Sequence, residues 1–414
     1  MIRSCRPKQV RGQAVATHDL NPHHWPPVMS DRSIWPNQCL CTDTDLFTIG
    51  TMTPHEFADL YSGLQQLQES GFSGGAALAT LVHTRGPVFR RPGARMLVFG
   101  DGRVVRGLSA GCPEADIIER SRDVIATGQA RLLRYDREHG YDALMELGCG
   151  GEMEVLLEPL RAAGQLRFAE VVTQSLRQRS QGLLMTVFSQ DGQCLPQPRR
   201  LVWGGSVLLD ELDDPQLSDT LLSGVAPEDS LPATRLERVA TPGGEFQVLV
   251  ERLRPPLRLV LVGINTTALA LARLARGLGW QVCLVDHRED SVLSGLPAGV
   301  DLLHAQPQNL AQQIAPDTRT AVVVMTHNLE RDLACLQALR AVRLAYLGAL
   351  GSRSRAAKMR EAAGVTTAPL HAPAGLDIGS ETPEEIALAI AAEIQAAASG
   401  HGGGRLSAGD GPIH

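Results

Sequence analysis

Leu257-Arg258-Leu259-Val260-Leu261-Val262-Gly263-Ile264-Asn265-Thr266-Thr267-Ala268 decides how the second half of the chain is read. Five of its first six side chains are apolar, the pattern of a strand buried on both faces. A glycine follows at once, and helical spacing takes over from Ala268 to Leu278, closed by Gly279. Val282–Val285 reads as a second apolar strand ending at Asp286. Ala321–Met325 reads as a third, ending at Thr326-His327, and Leu344–Leu347 as a fourth. Strands alternating with helices imply a parallel, doubly wound sheet. The last helix, Pro383–Ala398, carries its own start signal: Thr382 as cap, Pro383 at the first position and Glu385 completing a capping box.

Open sheets of this kind bind ligands beyond the carboxyl ends of their strands. Gly263 to Ala268 is a dinucleotide fingerprint, G-x-G-x-x-G/A, in which Asn265 stands for the second glycine and Ala268 is a permitted last residue. Asp286 closes the next strand, where a ribose-binding carboxylate belongs. Thr326, His327 and Asp332 follow the third strand, and Gly351-Ser352-Arg353 follows the fourth. Gly263, Asn265, Asp286, Thr326, His327, Asp332, Ser352 and Arg353 therefore form a candidate nucleotide or second site. NAD(P) is its natural ligand if the turn still admits a pyrophosphate. Otherwise the scaffold keeps the fold and has lost the cofactor, since a fold does not fix a function.

Working back toward the N-terminus, Arg254-Pro255-Pro256 reads as a linker. Residues 161–255 are the least legible, an intermediate α/β region. Leu183–Phe188 and Phe246–Val250 look like strands, and acidic Asp210–Asp219 looks like a loop. Residues 52–160 are clearer. Thr53-Pro54-His55-Glu56 opens a helix whose apolar face is Phe57, Leu60, Leu64 and Leu67. Ala76–His83, Arg95–Phe99 and Arg103–Leu108 read as strands, the last two joined by an Asp101-Gly102 hairpin turn. Pro113–Thr127 reads as a helix and Glu152–Glu158 as another strand. No internal repeat is evident.

Two cysteines in this region sit in glycine loops. Gly111-Cys112-Pro113-Glu114 joins a strand to a helix and puts Cys112 at the cap, where free N–H groups and the helix dipole favour a thiolate. Gly148-Cys149-Gly150-Gly151 allows a nest of N–H groups before the next strand. The pair is either a two-thiol site or two buried cysteines in tight turns. Arg90-Arg91-Pro92-Gly93-Ala94-Arg95 is either a phosphate clamp or a solvated hairpin, and spacing alone leaves both open.

Residues 1–51 lack helical or strand periodicity and read as a disordered extension or as sequence upstream of a true start at Met52. His23, His24, Cys39 and Cys41 within them match no standard zinc spacing. Residues 401–414 read as a tail. The net charge of −6 argues against nucleic acid as a partner. No apolar run reaches the ~20 residues of a membrane span. Eight scattered cysteines suit a reducing cytoplasm better than a disulfide framework.

Arg90-Arg91-Pro92-Gly93-Ala94-Arg95-Met96, Gly111-Cys112-x-Glu114 and Cys149-Gly150-Gly151, in this order, resemble the N-terminal domain of the XdhC/CoxI family. Thr326-His327-Asn328 with Asp332, Gly351-Ser352-Arg353, Pro373-x-Gly375-Leu376-Asp377-Ile378-Gly379 and Thr382-Pro383-Glu384-Glu385-Ile386-Ala387 are similar to its C-terminal domain. Ala110, Pro113 and Asn265 depart from the family pattern. The resemblance implies a mixed α/β XdhC/CoxI-type domain followed by a Rossmann-like domain at 256–400. It implies an accessory protein that binds molybdenum cofactor, as molybdopterin or its dinucleotide form, and delivers it to a molybdenum hydroxylase such as a xanthine or carbon monoxide dehydrogenase. A cysteine desulfurase is a further implied partner, and a homodimer is expected. Carried over, Cys112 and Cys149 become the candidate cofactor-binding residues and candidate ligands of its molybdenum. Gly111, Glu114, Gly150 and Gly151 surround them, and Arg90, Arg91 and Arg95 face the phosphate. The alternative is an NAD(P)-dependent oxidoreductase built on the C-terminal domain.

Overall fold

The computed structural model describes residues 52–86, 88–108, 112–136, 151–225, 233–288, 296–364 and 366–408. All lie within the unit Asp45–His414. Helix α1 (Pro54–Glu69) starts at the predicted capping box and buries Phe57, Leu60, Leu64 and Leu67. Strands β1 (Ala76–Arg85), β2 (Arg95–Phe99) and β3 (Val104–Val105), helix α2 (Cys112–Thr127), and strands β4 (Arg131–Tyr135) and β5 (Glu152–Leu160) follow. The strands form an antiparallel sheet in the order β3-β2-β1-β5-β4.

The poorly legible middle is a second such sheet. Helix α3 (Arg167–Arg177) precedes β6 (Gly182–Gln190), β7 (Gln193–Trp203) and β8 (Val207–Asp210), then α4 (Pro215–Ser223), β9 (Thr234–Thr241) and β10 (Gly244–Leu253). Their order is β8-β7-β6-β10-β9, the same topology as the first sheet. The stretch expected to be an acidic loop thus contains a helix, capped by Asp214, which accepts from the Gln216 and Leu217 amides.

The two halves are an internal repeat, contrary to the sequence expectation. Thr80 pairs with Arg95 across β1–β2, and Thr186 with Arg200 across β6–β7. Leu78 faces Glu158 across β1–β5, and Leu184 faces Glu251 across β6–β10. Each central strand carries a bulge at the same place, Val82 in β1 and Phe188 in β6. Equivalent residues then meet around a pseudo-two-fold axis. Val82 with Phe188, and Leu156 with Leu249, share one apolar cluster. Leu78 and Leu184, Leu97 and Val202, and Leu160 and Leu253 share the larger core under α1 and α3.

Two buried ion pairs cross between the halves and are exchanged by the same axis. Arg95 of β2 forks onto Glu251 of β10, at 2.7 and 2.5 Å. Arg200 of β7 reaches Glu158 of β5. All four side chains are at most 4% exposed. Even the unsatisfied atoms repeat: Thr80 and Thr186 hydroxyls and both arginine Nε atoms lack a partner among the described residues.

The third layer is the predicted parallel sheet. It contains β11 (Arg258–Val262), β12 (Gln281–Asp286), β13 (Val300–His304), β14 (Thr320–Val324), β15 (Tyr346–Ala349) and β16 (Leu370–His371), in the order β13-β12-β11-β14-β15-β16. Helices α5 (Thr266–Gly277), α6 (Leu310–Ile314), α7 (Leu329–Leu339), α8 (Arg353–Ala363) and α9 (Pro383–Ala398) cover it. One face buries Leu259, Leu261 and Val323 against α5 and α9. The other buries Val260, Val262 and Val324 against α7 and α8. Strand order reverses between β11 and β14, so the crevice beyond Val262 and Val324 is the switch point where ligands bind in such sheets.

Candidate functional site

The first candidate site lies at one end of the first sheet. Tyr135 of β4 sits opposite Met153 of β5 and donates its hydroxyl to Asp116 of α2 at 2.8 Å. Arg161, just past β5, donates to the Ala126 carbonyl at the far end of α2. Helix α2 therefore runs alongside β5, and its first residue, Cys112, is at the end where β5 begins. Gly86 leaves β1 at this end with φ 73°, and a Cβ there would be 3.6 Å from the Gly151 Cα. Glu114 fills the space over Gly107, whose Cβ would lie 2.5 Å from its Oε1. Gly111, Cys149 and Gly150 lie outside the described residues.

The arginine turn divides. Arg95 is not open to a ligand phosphate: its guanidinium is buried on the Glu251 carboxylate. Gly93 is needed for that contact, since it has φ 94° and a Cβ would be 2.8 Å from Glu251 Oε1. Burial pulls the Arg95 pKa down, but the Glu251 carboxylate more than restores it. Arg90 pairs with Glu56 in the first turn of α1 at 2.6 Å. Arg91 stays in the same turn, partly buried. Sequence spacing offered no sign of Glu251, 156 residues away, as the partner of Arg95.

The second candidate site is a cavity of about 350 Å³ at the switch point of the parallel sheet, lined by Gly263, Asp286, Arg288, Thr326 and Arg331 among others. Gly263 has φ 106°, and a Cβ would come within 2.7 Å of the Met325 carbonyl, so strand packing alone demands glycine. Asn265 explains the altered fingerprint. It caps α5 by accepting from the Ala268 amide at 2.9 Å and donates to the Met325 carbonyl at 3.0 Å. An internal side chain thus takes one of the helix N-terminal N–H groups that would face a pyrophosphate. Asn328 and Ser352 cap α7 and α8 in the same way. Asp286 is 4% exposed and holds Arg288 at 3.0 Å. Asp332 is fully buried, receiving the Thr326 hydroxyl at 2.6 Å and Arg355 at 2.5 Å. Arg355 also donates to the carbonyl of His327, an exposed residue at φ 60°. The structure therefore brings Gly263, Asp286 and Thr326 to one cavity. It uses Asn265, Asp332 and Ser352 as internal caps and braces, and Arg353 is the exposed first residue of α8.

A family model of the XdhC Rossmann domain matches residues 259–394, and a model of the XdhC and CoxI family matches residues 73–136. Both regions are thus similar to the XdhC/CoxI family. The chain is also similar to a Bacillus subtilis protein named as a probable subunit of xanthine dehydrogenase, with 28% identity spanning 77% of this chain and 92% of that one. It is also similar to the molybdenum cofactor insertion chaperone PaoD of Escherichia coli, with 29% identity spanning 77% and 82%. A crystal structure of a Bacillus halodurans protein described as a xanthine dehydrogenase shares the fold. Its TM-score is 0.68 at 21% identity, covering 87% of this chain and 98% of that one. The chain has no described helix long and apolar enough to cross a membrane, and no described cluster of three metal-ligating side chains.

Proposed function

We propose that the chain binds molybdenum cofactor and delivers it to a molybdenum hydroxylase in the cytoplasm. The carrying observation is its likeness to a protein named as a molybdenum cofactor insertion chaperone across 77% of this chain. Cys112 and Cys149 hold the metal end, because thiolates are soft ligands that suit molybdenum bound by sulfur. Cys112 opens α2, where the helix N-terminus favours the thiolate. Gly111, Gly150, Gly151 and Glu114 are the neighbours that complete this site, and Arg90, which also pairs with Glu56, and Arg91 are the candidate phosphate contacts.

The second repeat supports the convergence of these loops. There Asp214-Pro215 opens α4 as Cys112-Pro113 opens α2, and Pro242-Gly243-Gly244 leads into β10 as Cys149-Gly150-Gly151 leads into β5. A Cβ on Gly243 would lie 3.1 Å from the Asp214 carboxylate, so the two loops touch. Sulfur loading by a cysteine desulfurase onto one of the thiols, and a two-fold homodimer, extend the same reading. The oxidoreductase alternative is not favoured, and Asn265 in the fingerprint turn argues against tight NAD(P) binding.

The test is protein purified from a molybdenum-replete host and assayed for molybdenum and pterin beside a Cys112→Ser Cys149→Ser variant. Near-stoichiometric cofactor in the parent, lost in the variant, is expected. Equal cofactor in both proteins would remove the cysteines from the site, and none in either would remove the function.

A further inference from the structure

A second cavity, of about 340 Å³, opens between the second antiparallel repeat and the parallel sheet. It lies at the amino ends of β11, β12 and β13, opposite the switch point. Its walls carry Arg177 from the end of α3, Arg179, Arg258 from the start of β11 and Arg276 from the end of α5, with Asp301 as the acidic member. In a chain of net charge −6, such convergence of one sign needs a cause.

Arg179 has a structural one. It forks onto Asp317 at 2.8 and 3.0 Å and donates to Gln281 and to the Pro256 carbonyl, tying the repeat to the sheet. The other three have no carboxylate partner among the described residues. Arg258 donates to the Ile314 carbonyl and Arg276 to the Trp280 carbonyl. Gly299 keeps Arg276 in place, because a Cβ there would lie 2.8 Å from Nη2. Arg177 and Arg276 are exposed.

The positive charge is under-compensated locally. Arg319 lies within electrostatic reach, and its Nε is buried with no partner among the described residues. Burial lowers its pKa, and repulsion by Arg254 and Arg179 lowers it further. Among the described residues the carboxylate that opposes this, Asp317, is already engaged bidentately by Arg179. Four guanidinium groups thus line the cavity against Asp301, with Asp317 taken up by Arg179, so two of the four have no carboxylate to balance them among the described residues.

We propose that this cavity binds a small phosphate-bearing anion, a phosphomonoester or a diphosphate. Guanidinium groups are suited to phosphate by their planar fork, and the volume falls within the range of small-molecule sites. The inference is independent of molybdenum cofactor binding at the cysteine loops. Arg177, Arg258 and Arg276 are the contacts, and Arg179 is the wall that holds them together.

The experiment is calorimetric titration of the full chain at low salt with inorganic phosphate and with pyrophosphate. It is run beside Arg177→Gln Arg276→Gln, Asp301→Asn and Arg288→Gln, the last altering the switch-point cavity instead. Saturable binding of at least one anion is expected. The double variant should weaken it by about tenfold or more, Asp301→Asn should tighten it several-fold, and Arg288→Gln should leave it unchanged. Preference for pyrophosphate over phosphate would identify a diphosphate ligand, and the reverse a phosphomonoester. No saturable binding, undiminished binding in the folded double variant, or loss in Arg288→Gln would overturn the proposal. If the double variant fails to fold, the Asp301→Asn result decides: affinity that does not rise refutes the site.

Discussion

Removing Glu251 should reveal how much the exchanged ion pairs matter. Its carboxylate is 3% exposed and takes both terminal nitrogens of Arg95. Glu251→Gln leaves Arg95, at 2% side-chain exposure, as a buried charge without its counter-ion. Breaking such a pair from one side destabilises by about 3–5 kcal/mol, most of it the penalty of the stranded charge. If the two repeats unfold as one unit of roughly 200 residues, each kcal/mol is worth about 2–4 °C, so the melting temperature falls by roughly 6–20 °C. Arg95→Met Glu251→Leu removes both charges and should recover most of that loss. Glu158→Gln should mimic Glu251→Gln, and Arg200→Met Glu158→Leu should mimic the paired replacement. Chemical denaturation of the four variants measures how much of each single loss the paired replacement recovers. A Glu251→Gln loss below about 1 kcal/mol, or a double variant no better than the single one, would refute the assignment of this pair as a buried, mutually dependent contact.

Asp317 is held below its usual value of 3.8: burial raises its pKa, but the Arg179 and Thr320 hydrogen bonds outweigh this. Its contribution is therefore complete above the unfolded value and lost as pH falls through the folded one. The stability gap between the parent and Asp317→Asn should accordingly close on acidification below about pH 4 in urea titrations, and a gap independent of pH would contradict this. Among the described cysteines, burial pushes Cys194 up to about 11 and Cys335 up to about 12, and Cys283 is also raised. Mass-spectrometric mapping of iodoacetamide labelling at neutral pH should find these three slow to react in the native protein, and rapid labelling of any of them would show that its burial is wrong. Asn265→Gly should lower stability by about 1 kcal/mol through loss of the bond to the Met325 carbonyl. It should also raise NADH affinity measured by fluorescence, whereas unchanged affinity would show that Asn265 is not what closes the turn.

The parallel sheet was legible because its strands are continuous apolar runs and its last helix announces itself with a capping box. The N-terminal helix was legible for the same reason. Short or exposed elements were not: β16 is only Leu370 and His371, and α4 hides under the acidic Asp213-Asp214 at its start. The repeat left a readable trace that periodicity does not catch. Gly150-Gly151-Glu152-x-x-Val155-Leu156-x-Glu158-x-Leu160 recurs as Gly243-Gly244-Glu245-x-x-Val248-Leu249-x-Glu251-x-Leu253. Alignment of the chain with itself, rather than a search for alternation, would have found it. The fate of Arg95 was out of reach, because local spacing made it look like one of three equal donors. Its partner belongs to the other half of the repeat.

That recurrence points to descent from a shorter chain that once paired with a copy of itself. In such an ancestor every residue near the dyad acted twice, so one substitution altered both copies of whatever contact it made. Fusion into a single polypeptide freed the copies to diverge. The glutamates and arginines at the interface stayed, because each still answers to a residue in the opposite half. At the loops only one copy kept cysteines, and Asp214 and Pro242 now occupy the corresponding places in the other.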